Sequence, residues 1–372
     1  SQAIFIEVIV MQVIEYRRAL HRIPELDKDL PQTMAYLEQA LAGLNCRVFS
    51  PMVSSLCAWF DFGQESAIAF RSDADALPIQ EKTGAAFASC HPGKMHACGH
   101  DGHMAIALEL ARRLSEKKEL PHNVLIVFQP AEETTGGAKE LCRTGVFERY
   151  KVEAIFGLHL WPGLPEGQIA SRAEEVMARS CEVKVDVLGR SAHIARAEEG
   201  LDALEAGAEF YLRALDMERK MPKEVFRLLK FGKFQSGRVC NAISDHTHME
   251  GSLRAFQDDI FYGMRQSLLD IAAQVERESG CRVQVDMNEG YPAVMNPPAL
   301  YQRVKQAVSF RELAAPMMIT EDFSWYQRFL PGLFFFLGAG DVPALHSDDF
   351  HFNEQILVKG ADFFEELAEK FL

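Results

Sequence analysis

The sequence predicts an α/β protein, a mixed, mostly parallel sheet flanked by helices and interrupted by an inserted ferredoxin-like α+β domain. Apolar strand signals at 67–71, 123–128 and 154–158 alternate with helical periodicity at 102–118 and 138–144, the spacing of βαβ units. From about 178 to 290 the order changes to strand-helix-strand-strand-helix-strand. The richest polar clusters fall at or after the ends of the apolar strands, where open α/β sheets bind their ligands. These patterns assign 1–177 and 291–372 to a first domain in two parts and 178–290 to the insertion.

Taken in order, helical spacing spans 8–20, closed by Ile23-Pro24, and again 32–44. Residues 58–62 and 67–71 read as buried strands with 63–66 as their hairpin turn. The second strand runs into RSDADALPI, which sets Asp73 and Asp75 on one side of an extended segment. MHACGHDGH follows at 95–103, with three histidines, one cysteine and one aspartate in nine residues. Read as extended, it points Cys98 and His100 to the same side. The next helix, 102–118, is apolar at Met104, Leu108, Ala111 and Leu114. The strand 123–128 ends at QPAEE, a Gly-Gly turn enters the helix 138–144, and the strand 154–158 ends at His159. In the insertion, strands are expected at 181–188, 228–234, 247–255 and 281–288, with helices at 201–217 and 258–278. A helix near 298–309, a strand at 333–338 and an amphipathic helix at 354–372 complete the chain.

A chain of 372 residues can bury ample cores in two domains, and a hydrophobic share of 48% is ordinary. The net charge of −14 argues against nucleic acid or an anionic membrane as a bulk partner, though not against a local basic pocket for a small anion. No apolar run reaches the roughly 18 residues of a membrane-spanning helix. The run 4–10 is broken by Glu7 and has no basic segment before it, which argues against a signal peptide; Met11 is a candidate natural start. The eight cysteines (Cys46, Cys57, Cys90, Cys98, Cys142, Cys181, Cys240 and Cys281) form no Cys-x-x-Cys pair. In a chain this large they read as reduced, mostly buried small hydrophobes of a cytoplasmic protein, Cys98 excepted.

Thiolate with imidazole suits a borderline divalent metal such as Zn, Mn, Co or Ni, so Cys98 and His100 are candidate ligands. The plain alternative is a buried cysteine beside a helix-capping histidine. Glu132 and Glu133 are either a solvated loop or a pair with two roles, one on a metal and the other a base for water. Adjacent side chains point in different directions, which suits separate roles. His159 and His346, read alone, are satisfied histidines; they become ligands because the site otherwise lacks donors. His351 competes with His346, while His96 and His103 compete with His100 and rank as supports for it. His193 in GRSAH, Asn241 in RVCNAIS and Arg254 in GSLRAF lie in the insertion. Arginine is the natural bidentate partner of a carboxylate, so Arg254 reads as a substrate clamp or as an ordinary surface residue.

RSDADALPI, MHACGHDGH, VFQPAEE, GLHLWPGLPEGQIA, GRSAH, CNAIS, EGSLRAF, ITEDFSWY and PGLFFFLGAG together resemble the bacterial and plant amidohydrolase branch of the aminoacylase/carboxypeptidase G metallopeptidase family. Hippurate hydrolase, N-acyl-L-amino-acid amidohydrolases, auxin-conjugate hydrolases and N-acetyldiaminopimelate deacetylase belong to that branch. The likeness runs from about Tyr16 to the C-terminus, and MHACGHDGH with QPAEE is highly specific to it. It implies a two-metal catalytic domain carrying an inserted dimerisation domain, in a homodimer or higher homo-oligomer. The implied ligands of two divalent ions (Mn, Zn, Ni or Co) are Cys98, His100, Glu133, His159 and His346. Glu132 matches the general base, and Asp75 an aspartate that supports the ligands from behind. Asp73 stands where more distant relatives have a metal histidine. His193 matches a histidine that stabilises the oxyanion, typically from the partner subunit, and Asn241 and Arg254 match residues that hold the substrate carboxylate.

The implied activity is hydrolysis of an N-acyl-L-amino acid by metal-activated water, with closure of the inserted domain over the substrate. A dipeptidase or carboxypeptidase on the same metals is the alternative, as is a metal-binding relative without turnover, against which the intact base, ligands and clamp weigh. Two departures stand out. Around His193 the chain reads SAHIARAEEG where many relatives have GGHAAMPHxG, so the second histidine of that motif is missing and Ala197 stands near its place. Ser309-Phe310 also joins two segments tightly, so a family loop is either shortened there or left out of the sequence as it stands.

Overall fold

The structure, a computed structural model, describes residues 2–372, with side chains from Val10 onward. All of the run 4–10 except Val10 therefore lies outside the described side chains. The chain divides into two compact units. One runs to Val176 and resumes at Met295–Ala315 and Asp322–Leu372; the other is Met177–Val294 with Pro316–Glu321.

The elements before the second unit are α1 (Gln2–His21), α2 (Pro31–Leu41), β1 (Arg47–Phe49), β2 (Leu56–Phe60), β3 (Ala67–Asp73), α3 (His100–Glu116), β4 (Asn123–Gln129), α4 (Gly137–Arg143), α5 (Val146–Arg149), β5 (Val152–Pro162), β6 (Ile169–Ser171) and β7 (Glu174–Met177). The second unit carries β8 (Arg179–Leu188), α6 (Ala203–Lys220), β9 (Arg227–Ser236), β10 (His246–Ala255), α7 (Asp258–Ser279) and β11 (Arg282–Met287). The chain then forms β12 (Val294–Asn296), α8 (Pro298–Ala307), β13 (Arg311–Glu312), β14 (Gly332–Gly340) and α9 (Ile356–Lys370).

The large sheet has the order β1-β2-β4-β3-β5-β14-β6-β13. Its centre, β4-β3-β5-β14, is parallel. Every residue of β3 and β4 is buried, as expected when helices cover both faces of a parallel sheet. Helix α3 is buried at 14 of its 17 positions, so it is a central helix packed against α1 and α9 rather than an amphipathic surface one. In the second unit the antiparallel order β11-β8-β10-β9 is that of a ferredoxin-like sheet, with α6 and α7 packed on it. Among the described residues, no helix is long and apolar enough to cross a membrane.

Three local expectations fail. β2 and β3 are not a hairpin, because β4 lies between them, antiparallel to β2 and parallel to β3. The link passes over the start of β4, where Asn123 Oδ1 accepts the N–H groups of Phe62 (2.7 Å) and Gln64 (3.2 Å) and its Nδ2 donates to the Gln64 carbonyl (2.8 Å). One side chain thus replaces the ladder that a hairpin would supply. The segment around Cys98 and His100 is not extended, since Gly99 takes φ 83° and turns the chain into α3 at His100. Nor does strand β5 end before His159; it continues to Pro162 with His159 opposite Phe336 of β14.

Gly137 shows how tightly the loop after β4 is built. A Cβ there would sit 2.1 Å from the Pro130 carbonyl oxygen, a backbone atom that cannot step aside. Helix propensity favours alanine by up to about 1 kcal/mol, but the clash is the larger effect. Gly137→Ala is expected to destabilise the protein by about 2 kcal/mol, read as a lower urea midpoint at unchanged m-value.

Candidate metal centre and active site

The polar cluster forms where β3, the turn before α3, the loop after β4, β5 and the segment before α9 meet. Two of its histidines are oriented from behind. His100 donates Nδ1–H to the Asp75 carbonyl (2.7 Å) and His159 donates Nδ1–H to the Leu160 carbonyl (2.6 Å). In the neutral ring this leaves the lone pair on Nε2, the arrangement of metal-ligating imidazole. His159 Nε2 lies 3.4 Å from Cys98 Sγ, and His100 Nε2 lies 3.7 Å from Glu133 Oε1. The same Glu133 oxygen is 3.3 Å from His346 Nε2. Cys98, Glu133 and His346 offer ligand atoms within 4.8 Å of one another, as do His100, Glu132 and Glu133. The structure thus brings together Cys98, His100, Glu133, His159, His346 and Glu132.

Asp75 positions the two glutamates through their backbones. Its Oδ1 accepts the Glu132 N–H (2.9 Å) and its Oδ2 the Glu133 N–H (3.1 Å). Burial pushes its carboxyl up to about 7, against the pull of His100 and those two N–H groups. Just upstream, Ala131 takes φ 60°, and His346 takes φ 67° with its N–H bonded to the Ala97 carbonyl (2.8 Å). Left-handed backbone at two non-glycine residues in one cluster marks strain held in place by its surroundings.

The donor set fits divalent cations. Burial, with Glu133 and Glu132 beside it, pushes the Cys98 thiol well above its ordinary value, so the protein alone does not make a thiolate there. Burial holds His159 neutral, with its pKa down at about 3. Burial would raise Glu133, but the His346 contact and His100 hold it down at about 2. A thiol, imidazoles and carboxylates gathered in a largely buried cluster, with His346 at its exposed edge, form a ligand shell suited to a borderline ion.

The competing histidines have other surroundings, although His103 also lies in a candidate ligand group with Asp73, His100 and His159. His103 spends both nitrogens elsewhere, donating Nδ1–H to Asp73 Oδ1 (2.6 Å) and accepting the Leu160 N–H at Nε2 (2.9 Å). His96 is buried with neither ring nitrogen hydrogen-bonded, and His351 is exposed and bonds the Asp349 carbonyl (2.9 Å). Asp73 is satisfied by protein donors, His103 on one oxygen and Arg71 on the other (2.9 Å).

Sequence reasoning missed the network behind the site. Buried Arg71 also donates to Asp322 Oδ1 (2.7 Å) and Gln129 Oε1 (2.8 Å). Gln129 donates to Asp322 Oδ2 (2.7 Å), which also accepts the Ala138 N–H (3.1 Å) at the start of α4. A charged residue inside an apolar strand was the available signal. A second such set joins Arg17, His21 and Asp101: Asp101 Oδ2 accepts from Arg17 Nε (2.8 Å) and His21 Nδ1 (2.7 Å), and His21 Nε2 reaches Glu81 (3.1 Å).

His193, Asn241 and Arg254 belong to the second unit. His193 is exposed and its Nδ1 accepts the Ala195 N–H (3.2 Å), which leaves the proton of the neutral ring on Nε2. It stands beside Asn241, whose carbonyl accepts the Ile194 N–H (3.0 Å). Arg254 on β10 donates Nε–H to Ser252 Oγ (3.2 Å) and Nη1–H to the Met318 carbonyl.

An α/β unit that gathers a thiol, imidazoles and carboxylates at its strand ends, joined to a ferredoxin-like unit, is the architecture of a two-domain metallohydrolase. The chain belongs to peptidase family M20/M25/M40, whose family model matches residues 69–370. It is 34% identical to a hydrolase of Staphylococcus epidermidis over 96% of this chain and 97% of that one. Its fold is similar to a crystal structure from methicillin-resistant Staphylococcus aureus (TM-score 0.89, 28% identity, 99% and 98% of the two chains). It is also similar to the Bacillus subtilis YXEP protein, a dinuclear metal-binding peptidase of family M20 (TM-score 0.84, 27% identity, 98% and 100% covered). This chain is thus a metal-dependent hydrolase of the M20 family with a candidate dinuclear metal site.

Proposed function

We propose that the protein hydrolyses the amide bond of N-acyl-L-amino acids. The observation that carries this is the pairing of Glu132 and Glu133 on one aspartate, with Glu133 turned to His100 and His346. Cys98, His100, Glu133, His159 and His346 would hold two divalent ions. Bound there, such ions supply Lewis acidity, polarising a carbonyl and lowering the pKa of water. Glu132 takes the proton of the attacking water as the new C–O bond forms. It passes that proton to the amide nitrogen as the C–N bond breaks, leaving a carboxylate and a free amine. His193 donates Nε2–H to the oxyanion, a role that rests on its motif. Asn241 and Arg254 are assigned to the substrate carboxylate on the same ground.

The test uses a substrate and its carboxamide. Arg254→Ala is expected to raise KM for the free-carboxylate substrate about 10- to 100-fold, the worth of a charge-assisted hydrogen-bonded pair. kcat, and KM for the carboxamide, should move little. If KM is unchanged, or both substrates suffer equally, Arg254 is not the clamp. The peptidase description of the Bacillus subtilis neighbour favours a second reading, dipeptide cleavage at the same site. N-acetyl, N-benzoyl and dipeptide substrates run side by side separate the two.

A further inference from the structure

We propose that Asp186, His246 and His248 form a second divalent-metal site, on the ferredoxin-like unit, for a borderline ion such as Zn²⁺, Ni²⁺ or Cu²⁺. β8 and β10 are antiparallel neighbours, with His248 directly opposite Asp186 and His246 opposite Leu188. Residues 246, 248 and 250 share one face of β10. The alternating Thr247 and Met249 are fully buried on the other face. Asp186 Oδ1 lies 2.7 Å from His246 Nε2 and 2.9 Å from His248 Nδ1. Three ligand atoms of two chemical types therefore converge on a partly open face.

The support behind them is that of a metal site. The other nitrogen of His248, Nε2, lies 2.8 Å from Glu250 Oε1, and Lys233 Nζ holds the same oxygen at 2.7 Å. A carboxylate behind an imidazole fixes the ring and raises its basicity as a ligand. A carboxylate only accepts, so the nitrogens facing Asp186 now carry protons. On binding, His246 shifts its proton to Nδ1, and His248 releases its Nδ1 proton to solvent while keeping Nε2–H on Glu250. Lys184 and Lys233, the cross-strand partners of Glu250, offset the carboxylates, so the field alone does not favour a hard cation. The selection comes from imidazole lone pairs, which favour the borderline metals over Ca²⁺ or Mg²⁺.

The experiment titrates Zn²⁺ into protein already loaded with its active-site metal, by calorimetry with elemental analysis after desalting. Wild type should take up one more equivalent than His246→Ala/His248→Ala. Cys98→Ser should keep that equivalent, and Glu250→Gln should weaken it about 10- to 100-fold. With Cu²⁺, the additional site should give an electron paramagnetic resonance signal split by two nitrogens, lost in the double variant. Asp186→Asn, which preserves side-chain shape, provides an independent comparison. Uptake equal to wild type in either the double variant or Asp186→Asn overturns the site.

Discussion

Glu132→Gln is expected to lower kcat/KM by about 10²- to 10⁴-fold on every N-acyl-L-amino acid that the wild type cleaves, with metal content unchanged. That is about 3–5 kcal/mol of transition-state stabilisation. Glutamine keeps the volume and one acceptor oxygen but cannot accept and return a proton. Asp75 would still hold the backbone of the loop, since its contact is with the Glu132 N–H and not its side chain. The ligand shell should survive for the same reason, because Glu133 has its own N–H anchor. Steady-state kinetics paired with elemental analysis of the same sample make the comparison. Near-wild-type turnover with metal bound would move the proton transfer to another group.

Arg71→Met is expected to be the most damaging change to stability, by about 3–5 kcal/mol. The guanidinium is the shared partner of two fully buried carboxylates, Asp73 at 2.9 Å and Asp322 at 2.7 Å. Methionine fills much of the space but leaves both acids without that partner, and burial already pushes the Asp322 carboxyl upward. Set against a typical stability of about 5–15 kcal/mol, such a loss brings unfolding close to ambient conditions. Arg71→Lys should recover only part, because one ammonium cannot span the three acceptors that the planar fork reaches. Urea unfolding of the three proteins gives the ranking; a methionine variant within about 1 kcal/mol of wild type would show that the pair is dispensable.

Much of the catalytic unit is legible because its strands are buried on both faces and read as continuous apolar runs, as in NVLIVFQ at 123–129. The βαβ rhythm then places the polar clusters at one end of the sheet without further information. The strand order at 56–73 is not legible in the same way. Two short strands with a polar link look like a hairpin, and only the placement of the Asn123 side chain shows that β4 intervenes. The expectation for Cys98 and His100 rests on an extended segment. The chain turns at Gly99 instead; a glycine permits the left-handed conformation, but ACGHD alone does not say that it is adopted. His346 and His351 are equivalent as letters; the backbone bond from His346 to Ala97 sets one toward Glu133. Arg71 and Asp322 are 251 residues apart, so their pairing had no local signal to read.

The most direct measurement is the release of free amine from a panel of N-acyl-L-amino acids by metal-loaded protein, before and after dialysis against a chelator. The account predicts turnover of at least one panel member, its loss with the metal, and its return on adding Mn²⁺, Zn²⁺, Co²⁺ or Ni²⁺. Protein carrying its metal ions that cleaves no member of the panel, or cleavage indifferent to the chelator, would contradict it.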